Sequence, residues 1–541
     1  MNSEKKSFLK SEYFFVIIII LVVMILNLFP YYYAYKISPP NLKFMGNFYY
    51  IDDYNTYLAK AAQGEEGNWL LVNKYASEVS KPRLIYTFYI LMGHLARLLK
   101  ANLENIFFIS RIVLGIILLI VIYLFLKEIV KNIKLRKVIY LFICFSSGFG
   151  WLITSSFSNT IKGPNLQPID LIRPESNPIE RFTNVPHYLL AHTLLILTIL
   201  FFIKSIDNKK YIYSIVAGFS ALFLSFILPF HTILLYALLA VFLIYKFLRK
   251  SLFSFELKSF LIILFISLPS FLWMAWLAFH DPIWSEMTRQ TFVSSPPFIY
   301  IIYGYGLLFP FAIIGCYRIF KSRDIKLHII PIWFLIVFVL IYLPFKSQFR
   351  FLETAFYVPV NILAGYGLFL LFKHYFNEEN YETKKFQFSR KFVIAIFIFT
   401  ILGTVFLFNK LTNLLSKFPT HIYYEKQFLT DFDWIKNNIR KDAVILASYK
   451  VGNVIPRFTG NTVYIGHWSE TLNLEDKLQK TVIFYKMEET SEQAHNFLQQ
   501  NGIDYVIYGK TEKDEGLLDP GNYYFLAPVF QSDQMKIYQV N

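Results

Sequence analysis

Apolar residues dominate the chain in eleven stretches of about 18 residues or more, separated by polar segments. A helix of that length spans the roughly 30 Å hydrocarbon core of a bilayer, so each stretch is a candidate transmembrane helix. The pattern therefore predicts a polytopic α-helical membrane protein with about eleven transmembrane helices. The predicted spans are 13–34, 105–126, 138–157, 186–203, 211–229, 230–247, 258–279, 298–317, 328–345, 354–372 and 392–409.

One further apolar segment, "RLIYTFYILMGHLARLL" at 83–99, is ambiguous. It carries Arg83, His94 and Arg97, which suit an amphipathic helix lying on the membrane surface better than a span. Leaving it out puts 24 Lys and Arg in the N-terminal tail and the loops on one side, against 6 in the short loops on the other. Because cytoplasmic loops are the basic ones, the N-terminus is predicted inside and the C-terminus outside.

This topology places a large first loop, 35–104, on the external face, together with loops 158–185 and 280–297. The sequence changes character after about residue 410, where charged residues become frequent. "AVILAS" (443–448), "TVYIGH" (462–467), "IDYVIYG" (503–509) and "MKIYQV" (535–540) predict strands, and "SEQAHNFLQQNG" (491–502) predicts a helix. We therefore expect a transmembrane domain at 1–410 and an external α/β domain at 411–541.

Composition agrees with a membrane protein. The mean hydropathy is +0.43, 55% of residues are hydrophobic and 17% are charged. In a soluble protein the net charge of +16 would favour a nucleic-acid partner. Here basic cytoplasmic loops beside anionic headgroups explain the charge. Membrane lipids are therefore the expected partners, and no nucleic-acid partner is expected.

Cys144 and Cys316 lie inside apolar runs and are predicted to pack there without forming a disulfide. The run at 13–34 is too long for a signal peptide and lacks a clear cleavage site, which predicts an uncleaved first helix.

Two adjacent acids, Asp52 and Asp53, follow the first predicted span in "YYIDDYNTYLAKAAQGEEGNW". An ionised carboxylate at the bilayer centre costs roughly 2.5–3.5 kcal/mol, so the pair belongs at a helix end or in a hydrated cleft. A carboxylate there could act as a general base towards a hydroxyl or bind a divalent cation. The alternative is a helix cap or a solvated loop, because Asp is favoured just before a helix.

Other polar residues lie near the external ends of predicted spans. Arginine suits bidentate contact with phosphate, although an arginine at a helix end often reaches for lipid headgroups instead. Histidine on an apolar helix is often a packing residue, an alternative that applies most to His192. The candidates are Arg111, Asp170, Arg173, Glu175, Glu180, Arg181, His187, His192, His231, Arg350 and Glu353.

Motifs for soluble nucleotide chemistry are absent from the sequence: it has no P-loop, no dinucleotide-binding glycine pattern and no serine nucleophile elbow. Zinc is not indicated either, because no H-E-x-x-H or paired-cysteine spacing occurs. Mg²⁺ or Mn²⁺ on Asp52 and Asp53 is the one metal site that the residue types allow, and no cofactor is certain.

Taken together, the layout resembles the GT-C superfamily of polytopic glycosyltransferases, which includes protein O-mannosyltransferases, oligosaccharyltransferases and lipid A aminoarabinose transferases. The resemblance covers almost the whole chain and rests on an acid after the first helix ("YYIDDYNTY"), a juxtamembrane segment at 81–99 and an arginine entering the next span ("ISRIVLG"). The short segments "SSGFGW", "NVPHYLLAH", "SQFRFLETAFYVPVNILAGYGL" and "VYIGHWSET" resemble a bacterial branch of this group. The sequence lacks the "WWD" motif expected of oligosaccharyltransferases and the His-Pro-Pro that O-mannosyltransferases carry in the first loop. Neither motif therefore identifies the acceptor.

The resemblance implies an inverting glycosyltransferase of the bacterial plasma membrane, which moves a hexosyl or pentosyl group from a polyprenyl-phosphate donor to an external glycan, lipid or protein. Asp53, with Asp52 second, would be the base or orient a metal, and Arg111 and Arg350 would bind the donor phosphate. Glu175, His187, His231 and Tyr57 would line the cleft.

Other interpretations stay open at this stage. A transporter or lipid flippase is also polytopic, although transporters often show two related halves, which are not evident here. A membrane receptor with a ligand-binding C-terminal domain is the third interpretation. In that domain "GNVIPRFTGNTVYIGHWSET" (452–471) contains His467, Trp468 and Glu470, which suit sugar binding or simply form a turn after a strand.

Overall fold

The computed structural model describes residues 2–157, 167–251, 253–344, 347–376 and 384–541. Parts of the predicted loops 158–185, 346–353 and 373–391 therefore lie outside the described residues. In chain order the α-helices are α1 (Asn2–Ile37), α2 (Ile51–Glu65), α3 (Thr87–Leu99), α4 (Leu103–Ile129), α5 (Ile133–Phe145), α6 (Gly150–Phe157), α7 (Ile169–Ile172), α8 (Pro186–Asn208), α9 (Tyr211–Ile227), α10 (Pro229–Leu248), α11 (Ser254–His280), α12 (Pro282–Gln290), α13 (Phe298–Tyr305), α14 (Leu308–Phe320), α15 (Ile329–Tyr342), α16 (Tyr357–Leu371), α17 (Lys373–Phe376), α18 (Lys384–Leu415), α19 (Lys426–Asn438), α20 (Tyr449–Thr459), α21 (Leu474–Tyr485), α22 (Ser491–Gln500) and α23 (Lys510–Asp514).

Strands are few and short by comparison. They are β1 (Leu42–Phe44), β2 (Tyr423–Glu425), β3 (Val444–Leu446), β4 (Thr462–Val463), β5 (Ile503–Gly509), β6 (Leu526–Gln531) and β7 (Met535–Val540). Three 3-10 helices complete the described elements, at Ile325–His328, Gln348–Phe351 and Pro520–Asn522. The predicted strands at 503–509 and 535–540 coincide with β5 and β7, and the predicted helix at 491–502 is α22, so these three predictions are confirmed.

Among the described residues, seven helices are long and apolar enough to cross a membrane, judged by length and composition. They are Glu12–Ile37, Leu103–Ile129, Pro186–Asn208, Pro229–Leu248, Ser254–His280, Ile325–Tyr342 and Lys384–Leu415. An eighth span results if α13 and α14, which meet at an angle of 94°, are counted as one. The predicted spans 211–229 and 354–372 correspond to the shorter helices α9 and α16, and the predicted total of eleven stays a prediction, as does the side of each loop.

The predicted span 138–157 is interrupted between α5 and α6. Backbone polar groups at a break within an apolar region need partners, because water is not there to supply them. Here the amides of Gly148 and Gly150 both donate to Asp170 Oδ2, at 3.0 and 3.2 Å, and the amide of Phe149 donates to the carbonyl of Tyr303 at 2.7 Å. The aspartate of the following loop thus satisfies the broken helix.

The chain forms two compact units. The first unit comprises Met1–Pro30, Ile109–Met274 and Phe292–Asn413, and the second comprises Tyr31–Phe108, Ala275–Thr291 and Leu414–Asn541. The first unit is a helical body around one apolar core built from many of its helices. The predicted boundary between domains near residue 410 stays a prediction.

In the second unit a five-stranded sheet has the order β4-β3-β5-β7-β6, parallel on the β4 side and antiparallel on the β6 side. The first predicted loop belongs to this unit: β1 pairs antiparallel with β2, with Leu42 opposite Glu425, and Ala59 and Tyr75 enter one of the two apolar cores of the sheet. Helices α2 and α3 pack closely because each has a glycine, Gly64 or Gly93, at the contact. A Cβ on Gly93 would stand 1.9 Å from the carbonyl oxygen of Ala61. This packing fixes α2, which carries the acid pair.

Candidate active site

The acid pair, Asp52 and Asp53, occupies the first turn of α2. The helix begins at Ile51, and its N-cap residue is Tyr50, in a left-handed conformation with φ 48° and without a side-chain cap hydrogen bond. Neither aspartate is therefore the helix cap, and that interpretation of the pair is wrong. Their charges instead lie at the positive end of the helix dipole, which stabilises anions in the first turn.

Each aspartate has a hydrogen-bond partner from the C-terminal segment. The hydroxyl of Tyr449, the first residue of α20, donates to Asp52 Oδ2 at 2.9 Å. His467 Nε2 lies 3.2 Å from Asp53 Oδ1, in the turn that follows β4. The imidazole is buried, with 1% of its side chain exposed, whereas the Asp53 side chain is 26% exposed. The Asp53 carboxylate is thus bonded to a buried histidine while its side chain remains partly exposed.

Tyr449 is suited to its role as a donor. Burial, followed by the negative charge of Asp52, raises the pKa of the Tyr449 phenol above its ordinary value. A phenol with a raised pKa keeps its proton at physiological pH and so continues to donate to the carboxylate. Asp52 is held by this bond and by a contact of 3.3 Å between its carbonyl oxygen and Asn453 Nδ2.

Buried polar residues beneath the acid pair tie α2 to α20. Asn55 Nδ2 donates to Asn453 Oδ1 at 2.7 Å, and Arg457 donates to Asn55 Oδ1 at 2.7 Å and to Glu104 at 2.5 Å. The Tyr75 hydroxyl donates to the Asn453 carbonyl at 3.1 Å. Because every one of these bonds joins two separate segments, the position of the acid pair is fixed by more than its own helix.

The face of α2 that carries Asp53 continues with Tyr57 and with Lys60, which forms a buried ion pair. Lys60 Nζ lies 2.5 Å from Glu470 Oε1, and both side chains are almost fully buried. The same ammonium stands 4.2 Å from the ring centre of Tyr86 and 5.5 Å from that of Tyr57, which stacks on Tyr89. Tyr57, predicted to line a cleft, is therefore part of an aromatic wall one helical turn from the acid pair.

The first unit brings four other predicted residues together. His231 interacts electrostatically with His187 and Arg350, and its ring stacks on His192 with 5.5 Å between centres. Glu353 connects the histidines to Glu175. Its Oε2 accepts a hydrogen bond from Tyr188 at 2.8 Å, and its charge acts on Glu175. Glu175, His187, His231 and Arg350 thus belong to one polar cluster.

Glu175 and Glu180 lie in the buried loop that precedes α8. Asn184 Nδ2 donates to Glu175 Oε1 at 3.1 Å, and burial, followed by the charge of Glu353, raises the pKa of Glu175 to about 8. Burial and then the charge of Glu175 raise the pKa of Glu180 as well, and the charge of Arg111 opposes that rise. We call Glu175, Glu180 and Glu353 the glutamate cluster. Glu175 and Glu180 therefore hold their protons more readily than exposed carboxyl groups do.

Arg111 is 1% exposed, so it does not reach out to lipid headgroups in this structure. It interacts electrostatically with Glu180. Arg350 is half-buried and lies against the rings of Phe230 and Phe349, at 5.8 and 5.6 Å from their centres. Of the two predicted phosphate ligands, Arg350 is the more accessible.

A metal site is not evident among the described residues, where no group of three or more His, Cys, Asp or Glu could hold an ion. The metal site predicted from the sequence was on Asp52 and Asp53. Paired carboxylates suit a hard cation such as Mg²⁺ or Mn²⁺, which prefers oxygen ligands. The prediction of a cation on the acid pair stays a prediction.

The contribution of α20 to the site was not predicted from the sequence. Tyr449, Asn453 and Arg457 form one face of that helix, at the spacing of i, i+4 and i+8, and all three bond to groups of the first loop or to each other's partners. That periodic polar face was visible in "YKVGNVIPRF", although nothing in it indicated what the face would contact. His467 was noted as either a sugar-binding or a turn residue, and it proves to contact Asp53.

No family model and no curated protein matches the sequence. Similarity is found among solved structures. The oligosaccharyltransferase of Archaeoglobus fulgidus in its apo form aligns with a TM-score of 0.60 at 11% identity, over 93% of this chain and 70% of that chain. ArnT from Cupriavidus metallidurans, solved bound to undecaprenyl phosphate, aligns with a TM-score of 0.50 at 10% identity, over 97% of each chain.

A second structure of the archaeal enzyme, AglB in complex with an inhibitory peptide and a dolichol-phosphate, aligns with a TM-score of 0.56 at 11% identity over 92% of this chain and 70% of that chain. These structural neighbours are GT-C glycosyltransferases. The chain therefore has the GT-C fold, as its sequence layout predicted.

Proposed function

We propose that this protein is a membrane glycosyltransferase that moves a sugar from a polyprenyl-phosphate donor to an acceptor hydroxyl. The observation that carries the proposal is Asp53: a partly exposed carboxylate at the N-terminus of a helix, held by His467 in a protein with the GT-C fold. The neighbours solved with dolichol-phosphate and undecaprenyl phosphate support a lipid-linked donor. A hexosyl or pentosyl group is the expected cargo, and the acceptor is a glycan, a lipid or a protein.

The proposed reaction is a single displacement with inversion. Asp53 accepts the proton of the acceptor hydroxyl. At the same time the oxygen of that hydroxyl attacks the anomeric carbon of the donor sugar. The bond between the anomeric carbon and the phosphate oxygen breaks, and polyprenyl phosphate leaves with the electron pair. Asp52, held by Tyr449, is the second carboxylate and keeps the local field negative, which favours loss of the acceptor's proton to Asp53.

Charge develops on the leaving phosphate, where a positioned cation is most effective. We assign this role to Arg350 and, second, to Arg111, and sugar contacts to Glu175, His187, His231 and Tyr57. The half-buried Arg350, beside His187 and His231, supports this order. If the reaction uses Mg²⁺ or Mn²⁺, Asp52 and Asp53 would hold it, and the ion would supply further positive charge towards phosphate. The protein would reside in the bacterial plasma membrane with residues 411–541 on the external face.

The test uses the full chain in nanodiscs, a panel of radiolabelled polyprenyl-phosphate sugars, and a membrane glycan and lipid extract as the source of acceptor. Wild type should move label from the donor lipid to a new product, and Asp53→Asn should lower the rate about 10²–10⁴-fold, the usual contribution of a general base. Asp442→Asn, an exposed aspartate of the same unit, is the matched control and should transfer at the wild-type rate.

Two outcomes would contradict the proposal. Wild-type turnover by Asp53→Asn, with donor binding intact, would remove the assigned base. Passage of labelled lipid between the leaflets of proteoliposomes, without any transfer of sugar, would instead favour a flippase. A parallel arm with EDTA, followed by added Mg²⁺ or Mn²⁺, tests whether a cation is required.

A further inference from the structure

His467 is held in a turn that leaves its ring little freedom. The amides of Gly466 and His467 both donate to Thr471 Oγ1 at 3.1 Å. Gln290 Nε2 donates to the carbonyls of Ser469 and Thr471, at 3.2 and 2.7 Å. This turn is fixed on both sides of the histidine, and the imidazole itself is buried.

Close backbone packing places the turn against α20. A Cβ on Gly466 would stand 2.6 Å from the backbone of Gly452, so only glycine fits there. Asn453 Nδ2 donates to the carbonyl of Gly466 at 2.8 Å, and the same side chain contacts the carbonyl of Asp52. His467 and the acid pair are therefore tied to one asparagine.

The hydrogen bonds of the ring define its protonation. The backbone amide of Ser469 points at Nδ1 from 3.4 Å, and the hydroxyl of Ser469 lies 3.2 Å from the same nitrogen. A backbone N–H can only donate, so Nδ1 accepts and carries no hydrogen. The hydrogen of the neutral ring is then on Nε2, which donates to Asp53 Oδ1 at 3.2 Å. This tautomer is assigned from the hydrogen-bond pattern.

We propose that His467 is a positioning residue for Asp53: its imidazole donates one hydrogen bond from Nε2 that orients the carboxylate. The inference rests on the proposed function, because Asp53 matters as the base. It goes beyond that function by making the turn at 466–471 part of the active site. The histidine touches no reacting atom and acts through the aspartate alone.

Titratable groups approach the imidazole from α2 and from α20. Asp53 and Asp52 approach from α2, and the Tyr449 phenol, bound to Asp52, approaches from α20. The ring of Tyr75 lies 5.9 Å away between centres, and Trp468 is adjacent in the chain. Glu470, two residues beyond Trp468, is neutralised by its ion pair with Lys60. Asp53 is thus the charged group that His467 serves.

The test compares His467→Phe, which removes the donor, with His467→Gln, whose amide can donate from a similar position. His495→Gln, a half-buried histidine of the same unit whose ring bonds to the Asn541 carbonyl, is the matched control. The first readout needs no sugar transfer: labelling of Asp53 by a carbodiimide, which attacks the protonated carboxyl, is followed by mass spectrometry across pH. In His467→Phe the midpoint of labelling should rise by about one pH unit, because the ionised form has lost a hydrogen bond.

The second readout is sugar transfer. His467→Phe should lower kcat about 10- to 100-fold, the effect of one hydrogen bond to a charged group, with the donor KM changed less than threefold. His467→Gln should recover most of both effects, and His495→Gln should show neither. If His467 positions Asp53, the ascending limb of the pH–rate profile should move together with the labelling midpoint. If the variant only loses folded protein, the molecules that remain folded should keep the wild-type labelling midpoint.

Three results separate the two proposals. An unchanged labelling midpoint in His467→Phe overturns the role of His467, whatever the activity. An inactive Asp53→Asn beside a fully active His467→Phe also overturns it and leaves the proposed base in place. A shifted midpoint in a chain whose Asp53→Asn variant transfers sugar normally supports the hydrogen bond and overturns the proposed function.

Discussion

Carboxyl groups occupy contrasting surroundings in the two compact units. In the second unit the acid pair receives hydrogen bonds from two neutral donors, Tyr449 and His467, and Asp53 remains partly exposed. In the first unit the glutamate cluster is buried among arginines, and the pKa of Glu175 is raised to about 8. Both sets come from segments that the sequence analysis placed outside the membrane.

The difference bears on the proposed role of Asp53 as a base. Asp53 lies in the first turn of a helix, where the dipole favours a carboxylate, and its side chain is partly exposed, as a general base requires. Glu175 differs on both points, because its side chain is buried and its pKa is raised to about 8. The predictions that follow test this contrast, beginning with the largest expected effect.

Arg181→Met should destabilise the first unit strongly. The guanidinium donates to four backbone carbonyls, those of Glu175 (2.7 Å), Ile143 (2.5 Å), Ser176 (3.0 Å) and Ser146 (3.2 Å). Removing it strands buried acceptors and deletes a positive charge near Glu175, so the free energy of unfolding should fall by about 3–5 kcal/mol. Equilibrium unfolding in mixed micelles measures this loss. Arg289→Met, at a side chain that is 72% exposed, should change stability by less than about 0.5 kcal/mol.

Stability should also fall as pH rises from 5 to 7. A carboxyl whose folded pKa lies above its unfolded value is stabilising while both states are protonated, and that contribution is lost as pH rises through the interval between the two values. For Glu175 this interval runs from about 4.5 to about 8, and Asp170, raised by burial to a pKa of about 7, acts in the same direction. Glu175→Gln should reduce the slope of unfolding free energy against pH by about 1.4 kcal/mol per unit. Glu492→Gln, at an exposed position of α22, should leave the slope unchanged, and equal slopes in all three proteins would contradict the assignment.

The fold was more predictable from sequence than the site was. Alternating apolar residues in "IDYVIYG" and "MKIYQV" define β5 and β7 locally, and the long apolar runs define most of the candidate spans. The break between α5 and α6 was not predicted, because Asp170, which satisfies two of its glycine amides, lies about 20 residues further along the chain. Local hydropathy carries no information about such a partner.

The site depends on contacts between residues that are far apart in the chain. Asp53 and His467 are separated by 414 residues, and their strands and helices meet only through the packing of the second unit. The residue types at 52–53 indicated a carboxylate function without indicating its partners. A single sequence contains no signal that pairs Tyr449 with Asp52, since a tyrosine at a helix start fits many roles.

Tyr449→Phe should have a moderate effect on activity that separates the two aspartates. It removes the hydroxyl that donates to Asp52 Oδ2 and leaves the aromatic ring in place. Because Asp53 is the proposed base, the loss should be smaller than that of His467→Phe, about three- to tenfold in kcat, at the low end for a hydrogen bond to a charged group. Steady-state transfer assays measure it, with Tyr524→Phe, whose side chain is mostly exposed, as the control. A larger loss than that of His467→Phe would reverse the assigned order of the two acids.

The smallest predicted effect tests whether the turn at 466–471 needs its outer support. The side-chain amide of Gln290 donates to two carbonyls of the turn and accepts from the amide of Asn473 at 3.2 Å, in a partly buried position. Gln290→Ala should lower the free energy of unfolding by about 1 kcal/mol, the usual net value for such bonds. It should also raise the labelling midpoint of Asp53 slightly, in the same direction as His467→Phe, because a looser turn weakens the bond from Nε2. A midpoint that stays at the wild-type pH would indicate that Asn453 and Thr471 alone fix the histidine, which confines the active-site role of the turn to its inner face.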